Sequence, residues 1–245
     1  MTARTINTTL VHLNAAQASA ADDLLAPLIH APPGRPYVIA QLGQSLDGRI
    51  ATPTGASRWI NSAAALDHLH RLRSHVDAVV VGIGTVVADD PLLTVRRVAG
   101  RHPARVVIDP NGRLISSARM LADDGVRRVI ICGADRAVPA VAESIVVGRA
   151  IDGQFDPNDI VAALYTAGFK KILIEGGAST VSSFIDANAV DRLHVLVAPI
   201  ILGSGMMGLS LKAITRLEEA HRPATSVHVL DDGDVLFDCN LRSRI

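Results

Sequence analysis

The 245-residue sequence has little cysteine, few aromatics and no excess charge. Cys132 and Cys239 are its only cysteines and lie far apart. That spacing offers neither a disulfide framework nor a zinc cluster, and reduced thiols fit a cytoplasmic protein. No metal site is expected. Lys+Arg and Asp+Glu both number 24, so bulk charge favours neither nucleic acid nor an anionic membrane. Any anion site must be built locally. No apolar run is long enough to span a bilayer. The small-residue stretch Ala16-Gln17-Ala18-Ser19-Ala20 resembles a cleavage site, but Asn7, Thr8, Thr9, His12 and Asn14 interrupt the apolar core that a signal peptide needs. No Gly-, Pro- or Ser-rich linker divides the chain after Gly34, and no internal repeat is visible. The expected organisation is an N-terminal helical extension (1–34) followed by one domain (35–245).

Hydrophobic residues make up 49% of the chain and charged residues 20%, which permits a substantial core and argues against disorder. Short apolar runs predict strands at Tyr37–Leu42, Asp77–Val81, Arg105–Ile108, Val129–Cys132, Ser144–Val147, Ile172–Ile174 and Leu193–Ala198. Helices are predicted at 15–30, from Ala63 to about Ser74 with Ser62 as cap, and from Pro157 to Ala167 with Asp156 as cap and Gly168 at the end. Val227–Leu230 and Val235–Asp238 flank Asp231-Asp232-Gly233-Asp234, a hairpin pattern. Strands alternating with helices, then a strand-only tail, predict an α/β fold. Its sheet would be central and mostly parallel, flanked by helices, with an antiparallel C-terminal edge.

The most informative stretch runs from Lys171 into the 180s: an apolar strand, then Glu175, Gly176-Gly177 and a helix-compatible segment from Ala178 to Asp186. Two glycines between strand and helix leave backbone N–H groups beside the positive end of the helix dipole, where a phosphate can approach. A tight turn with a solvent-facing acid would read the same way. Gly82-x-Gly84 also follows a strand, but position 87 is Val, so the dinucleotide fingerprint is incomplete. Arg73, Arg96 and Arg97 suit a phosphorylated ligand if they converge, and are surface charges if they do not. His68 and His70 are two apart on a helix, which argues against a shared metal. Trp59, the only tryptophan, either stacks on a flat ring or packs. Asp47-Gly48 reads as a turn.

Taken in order, SLDGRIA at 45–51, SRWINS at 57–62, the segment 72–96, RVVIDPNGRL at 105–114, ILIEGGAST at 172–180 and LVAPIILGSG at 196–205 resemble the reductase domain of bacterial riboflavin biosynthesis. The resemblance implies a dihydrofolate-reductase-like fold, a homodimer, NADPH as cofactor and 5-amino-6-(5-phosphoribosylamino)uracil as substrate. It further implies substrate contacts at Ser57, Arg73, Leu93, Arg96 and Glu175. Cofactor contacts are implied at Trp59, Thr85, Asp89, Gly176 and Gly177. Asp47 borders the pocket and is the candidate proton donor. Two departures bear on substrate and cofactor: Gln41 stands where bacterial members commonly carry Lys, and Pro110 where Ser is common. Arg136 is a candidate for a 2′-phosphate.

The zinc-binding His-x-Glu and Pro-Cys-x-x-Cys set of the fused deaminase is missing, so reduction without deamination is expected. Two alternatives stay open: a dihydrofolate- or pterin-type reductase on the same fold, and a non-catalytic NADP-binding protein.

Overall fold

A computed structural model describes residues 24–149 and 153–244. One nine-stranded sheet dominates it, ordered β10-β11-β8-β1-β7-β3-β4-β5-β6. In chain order these are β1 (Tyr37–Ser45), β3 (Ala78–Gly82), β4 (Ala104–Ile108), β5 (Arg128–Cys132), β6 (Glu143–Val146), β7 (Lys171–Glu175), β8 (Arg192–Ala198), β10 (Pro223–Val229) and β11 (Val235–Arg244). From β8 through β6 every neighbouring pair is parallel, while β11 pairs antiparallel with both β8 and β10. The mostly parallel sheet with an antiparallel C-terminal edge is therefore observed. A separate two-stranded ribbon joins β2 (Arg49–Ala51) to β9 (Met206–Met207). Strands of three and two residues carry too little pattern to be read beforehand.

The central strands are buried on both faces, which is why β3 and the interior of β7 read as unbroken apolar runs and Tyr37–Leu42 of β1 is interrupted only at Gln41. One face packs against α4 (Pro157–Thr166) and α5 (Ala178–Asp186) through Ile160, Leu164, Val181 and Phe184. The opposite face packs against α2 (Ala63–His75) and α3 (Ile83–Asp89) through Leu72, Val76, Ile83 and Val86. Residues 24–29 are helical (α1), and Leu25 and Leu28 join that second cluster. The described end of the N-terminal extension is thus part of the core, while the part of the helix expected at 15–30 that precedes Leu24 lies outside the described residues.

Asp156 caps α4 as expected, accepting from Asn158 N–H at 2.8 Å. Ser62 does not cap α2 with its hydroxyl. Carboxylates from the β10–β11 hairpin satisfy that end instead. Asp234 accepts from Ser62 N–H at 2.9 Å and from Asn61 Nδ2 at 3.2 Å, and Asp232 accepts from Ala64 N–H at 3.0 Å. A charged acceptor at a helix N-terminus also gains from the dipole, so it displaces the local serine.

Beneath α2 the sheet face turns polar along one row. Asp238, His194, Gln41 and Glu175 stand in register across β11, β8, β1 and β7. From α2, His68 Nε2 lies 2.9 Å from His194 Nδ1. His194 Nε2 is 3.2 Å from Asp238 Oδ1 but off hydrogen-bond geometry. Burial, with His194 alongside, pushes the pKa of His68 from 6.5 down to about 3. Between those two values the unfolded chain binds a proton that the folded chain does not. His68 therefore supports the fold fully above pH 6.5 and progressively less below it, by about 1.4 kcal/mol per pH unit, or about 2 kcal/mol by pH 5. Urea titrations at pH 7.5 and 5 should show this loss, and His68→Gln should flatten the slope by that amount. An unchanged slope in the variant would mean that His68 is already charged in the folded protein.

Candidate active site

The site assembles at the carboxyl ends of β7 and β3, facing α2 and α3. Glu175 is the last residue of β7, and its carboxylate meets Arg73 from the α2 side. Arg73 Nε donates to Glu175 Oε2 at 2.8 Å, Nη2 donates to Oε1, and Nη1 donates to Thr94 O at 3.0 Å. Arg73 is only 4% exposed. Arg73 is not a free cation and Glu175 not a free acceptor; each is the other's counter-ion. N–H donors remain on Nη1 and Nη2 of Arg73 after these bonds.

Arg96 is placed differently. Its side chain is exposed and has no hydrogen-bond or ion-pair partner among the described residues. Partial burial lowers its pKa, and Arg73, Arg119 and Arg97 add to that, against Glu175. A guanidinium without a counter-ion keeps its donors available to an anion. Arg97 is paired with Asp67 and is not part of this opening. Arg119, which the sequence reading passed over, has its amide on Asp90 Oδ1 at 2.8 Å while its guanidinium is without a hydrogen-bond or ion-pair partner. Leu93 is 1% exposed at φ 56°, so it anchors this segment by burial.

On the other side of Glu175 the backbone turns through Gly176, at φ 133°. A Cβ there would sit 2.9 Å from Thr85 Oγ1. Thr85 itself accepts from Gly177 N–H at 3.0 Å, which uses one of the amides expected to face a phosphate. The N–H groups of Ala178 and Ser179, opening α5, make no hydrogen bond among the described residues. Those two amides, at the positive end of a nine-residue helix, fit a diphosphate. Across from them, a Cβ on Gly82 would approach Thr180 Oγ1 to 2.4 Å. Asp89 is exposed at the end of α3.

Ser57 and Trp59 lie in the loop after β2. Trp59 is 84% exposed at φ 71° and touches no aromatic partner among the described residues, so it does not pack as a core residue. Asp47 is a staple. It accepts from Ser45 Oγ at 2.6 Å, Leu202 N–H at 3.1 Å and Gly203 N–H at 2.7 Å. The Ser45 hydroxyl and the Leu202 amide, joined by the Gly203 amide, lower its pKa to about 2. These bonds engage both carboxylate oxygens of Asp47 and tie 45–49 to 202–203. Gln41 is 7% exposed, and its amide makes no hydrogen bond among the described residues.

Gly176→Val tests the turn. Valine is strained at that φ and crowds Thr85, so a stability loss of roughly 1–3 kcal/mol is expected in urea titrations. Fluorescence titration should also show weakened binding of NADPH, the cofactor that the family resemblance implies, and unchanged affinity would remove the diphosphate assignment.

The sequence profile described as RibD C-terminal domain matches residues 36–229. The riboflavin biosynthesis protein RibD of Aquifex aeolicus is 34% identical over 173 residues, covering 70% of this chain and 49% of that protein. The 2,5-diamino-6-ribosylamino-4(3H)-pyrimidinone 5′-phosphate reductase of Methanothermobacter thermautotrophicus is 36% identical over 180 residues, covering 69% of this chain and 80% of that protein. The chain spans about half the length of the RibD relatives it matches. Among solved structures, the deaminase/5-amino-6-(5-phosphoribosylamino)uracil reductase of Thermotoga maritima superposes with a TM-score of 0.74 at 25% identity, over 89% of this chain and 60% of that one. The riboflavin biosynthesis reductase of Saccharomyces cerevisiae shares the fold, with a TM-score of 0.73 at 19% identity over 90% of this chain and 98% of that one. With its profile matched over most of its length and relatives above 30% identity, the chain belongs to the RibD C-terminal domain family.

Proposed function

We propose that this protein is an oxidoreductase of riboflavin biosynthesis. It reduces the phosphoribosylamino side chain of a pyrimidine to a ribitylamino chain. The substrate is 5-amino-6-(5-phosphoribosylamino)uracil or its 2,5-diaminopyrimidinone counterpart, and the cofactor is NADPH. The observation that carries this reading is Arg96, a guanidinium without a counter-ion beside the buried Arg73–Glu175 pair. The relatives named for pyrimidine phosphate reduction support it.

In this reading Arg96 grips the substrate phosphate, and the remaining N–H donors of Arg73 add to it. Ser57 and the Leu93 backbone border the same subsite, and Glu175, fixed by Arg73, meets sugar or ring donors. The amides of Ala178 and Ser179, reached across Gly176 and Gly177, hold the cofactor diphosphate, with Thr85 fixing the turn. Trp59 and Asp89 border the cofactor, and Arg136, exposed and loosely paired at 3.4 Å with its neighbour Asp135, would turn to its 2′-phosphate. Bound NADPH supplies the hydride that reduces C1′ of the opened sugar. The protein contributes alignment and a preset field. Gln41 offers the ring both an acceptor and donors, which suits a uracil and a diaminopyrimidinone alike. A cytoplasmic location accords with two free, buried cysteines and, among the described residues, no helix long and apolar enough to cross a membrane.

The assembly is a homodimer. β10 ends the sheet with Val227 and Val229 exposed, and Ile201 and Leu217 are exposed in the preceding loops. An open strand edge with apolar side chains is a surface a second copy covers. Light scattering at micromolar concentration should give twice the chain mass, and a monomer would count against it.

Arg96→Ala should raise KM for the phosphorylated substrate about tenfold to a hundredfold, the loss of a charge-assisted bond worth roughly 1.5–3 kcal/mol. NADPH affinity should stay within about twofold of wild type, because the cofactor phosphates have their own helix N-terminus. Steady-state kinetics with phosphorylated and dephosphorylated substrate, on both rings and beside dihydrofolate, read all of this. A wild-type protein indifferent to the phosphate would overturn the reading.

A further inference from the structure

Between α3 and β4 the chain runs through residues 91–96 without regular secondary structure, so its backbone groups need partners from elsewhere. Side chains supply them at three consecutive residues. Thr94 O accepts from Arg73 Nη1 at 3.0 Å, Val95 N–H donates to His102 Nδ1 at 3.1 Å, and Arg96 N–H donates to His70 Nδ1 at 3.0 Å. A backbone N–H can only donate, so each imidazole accepts through Nδ1 and keeps its proton on Nε2. His70 and Arg73 are three apart on α2, hence on one face of the helix, and both are buried. The same helix face therefore locks the Glu175 carboxylate and sets the amide from which the Arg96 side chain starts.

We propose that His70 is a positioning residue for substrate binding: by holding the Arg96 amide it fixes where the Arg96 guanidinium presents itself to the phosphate. This rests on the reading of Arg96 as the phosphate grip. His70 has no other assigned task, being 2% exposed with Nδ1 engaged. The bond requires a neutral ring. Burial holds its pKa down to about 4, helped by Arg73, Arg96 and Arg97 and opposed by Glu175. A merely space-filling histidine would need no acceptor at that atom.

Kinetics with 5-amino-6-(5-phosphoribosylamino)uracil and its dephosphorylated form decide it. His70→Leu fills the space without the acceptor, and should raise KM for the phosphorylated substrate about tenfold, the scale of one lost hydrogen-bonded contact. Its kcat, and KM for the dephosphorylated form, should stay within about twofold of wild type. His70→Asn returns an acceptor near the Nδ1 position and should recover most of the loss. Adding His70→Leu to Arg96→Ala should cost nothing further, because the histidine acts through the arginine. A His70→Leu protein with a lower Tm and an intact phosphate preference would overturn the inference, and so would additive losses in the double variant. If His70→Leu does not fold, His70→Gln, whose acceptor is displaced toward Nε2, takes its place against His70→Asn, and equal KM values in those two would overturn it. An Arg96→Ala protein that keeps its phosphate preference would instead remove the phosphate reading itself. Loss of that preference in Arg96→Ala but not in His70→Leu removes only the role of His70.

Discussion

Two charges withdrawn from water set the terms for this site. Arg73 on α2 and Glu175 at the end of β7 are both largely buried, at 5% and 14% side-chain exposure. A buried charge without its partner costs roughly 3–5 kcal/mol, so the two must meet wherever the fold puts them. Their two-point contact has a narrow geometry, and it fixes how α2 lies over the sheet. The same guanidinium then reaches Thr94 O, so the loop that bears Arg96 inherits the alignment. A lysine at position 73 would keep the charge and lose the fork that holds carboxylate and carbonyl together.

Glu175 also lies between the two halves of the candidate site. On one side stand the arginine and the segment of Leu93 to Arg96. On the other, one residue on, the chain turns at Gly176 against Thr85 and opens α5 with free amides. A substrate anion and a cofactor diphosphate would thus be held by different elements that share one strand end. Open parallel sheets characteristically bind ligands there, because crossovers diverge to either face and leave backbone groups unpaired.

The sheet was legible because its determinants are local. Ile172 to Ile174 and Val79 to Val81 are apolar on both faces, and Asp156, Pro157 and Gly168 punctuate α4 by their own backbone preferences. The site was legible only as a set of residue types. Arg73 and Glu175 were both singled out, yet 102 positions separate them and nothing in either stretch declares that they neutralise one another. Asp47 was legible as half of a turn pair, but not as the acceptor for the Leu202 and Gly203 amides, which lie 155 and 156 positions on. His70 and His102 carry no signal at all. A histidine that accepts from a backbone amide has the same sequence signature as one that packs.

The carboxylates at the head of α2 bear on how the chain acquires its structure. Asp234 is 172 positions from the Ser62 amide that it satisfies, and the intervening strands separate them in synthesis as well as in sequence. Until the last hairpin exists, the first turn of α2 lacks its acceptors, and an uncapped helix start gives up about 1 kcal/mol. Arg73 likewise waits for β7. Contacts of such long range slow the search for the native state, since loop closure precedes any gain from the contact. The head of α2, the helix that carries Arg73, therefore has its full set of acceptors only once the β10–β11 hairpin is in place.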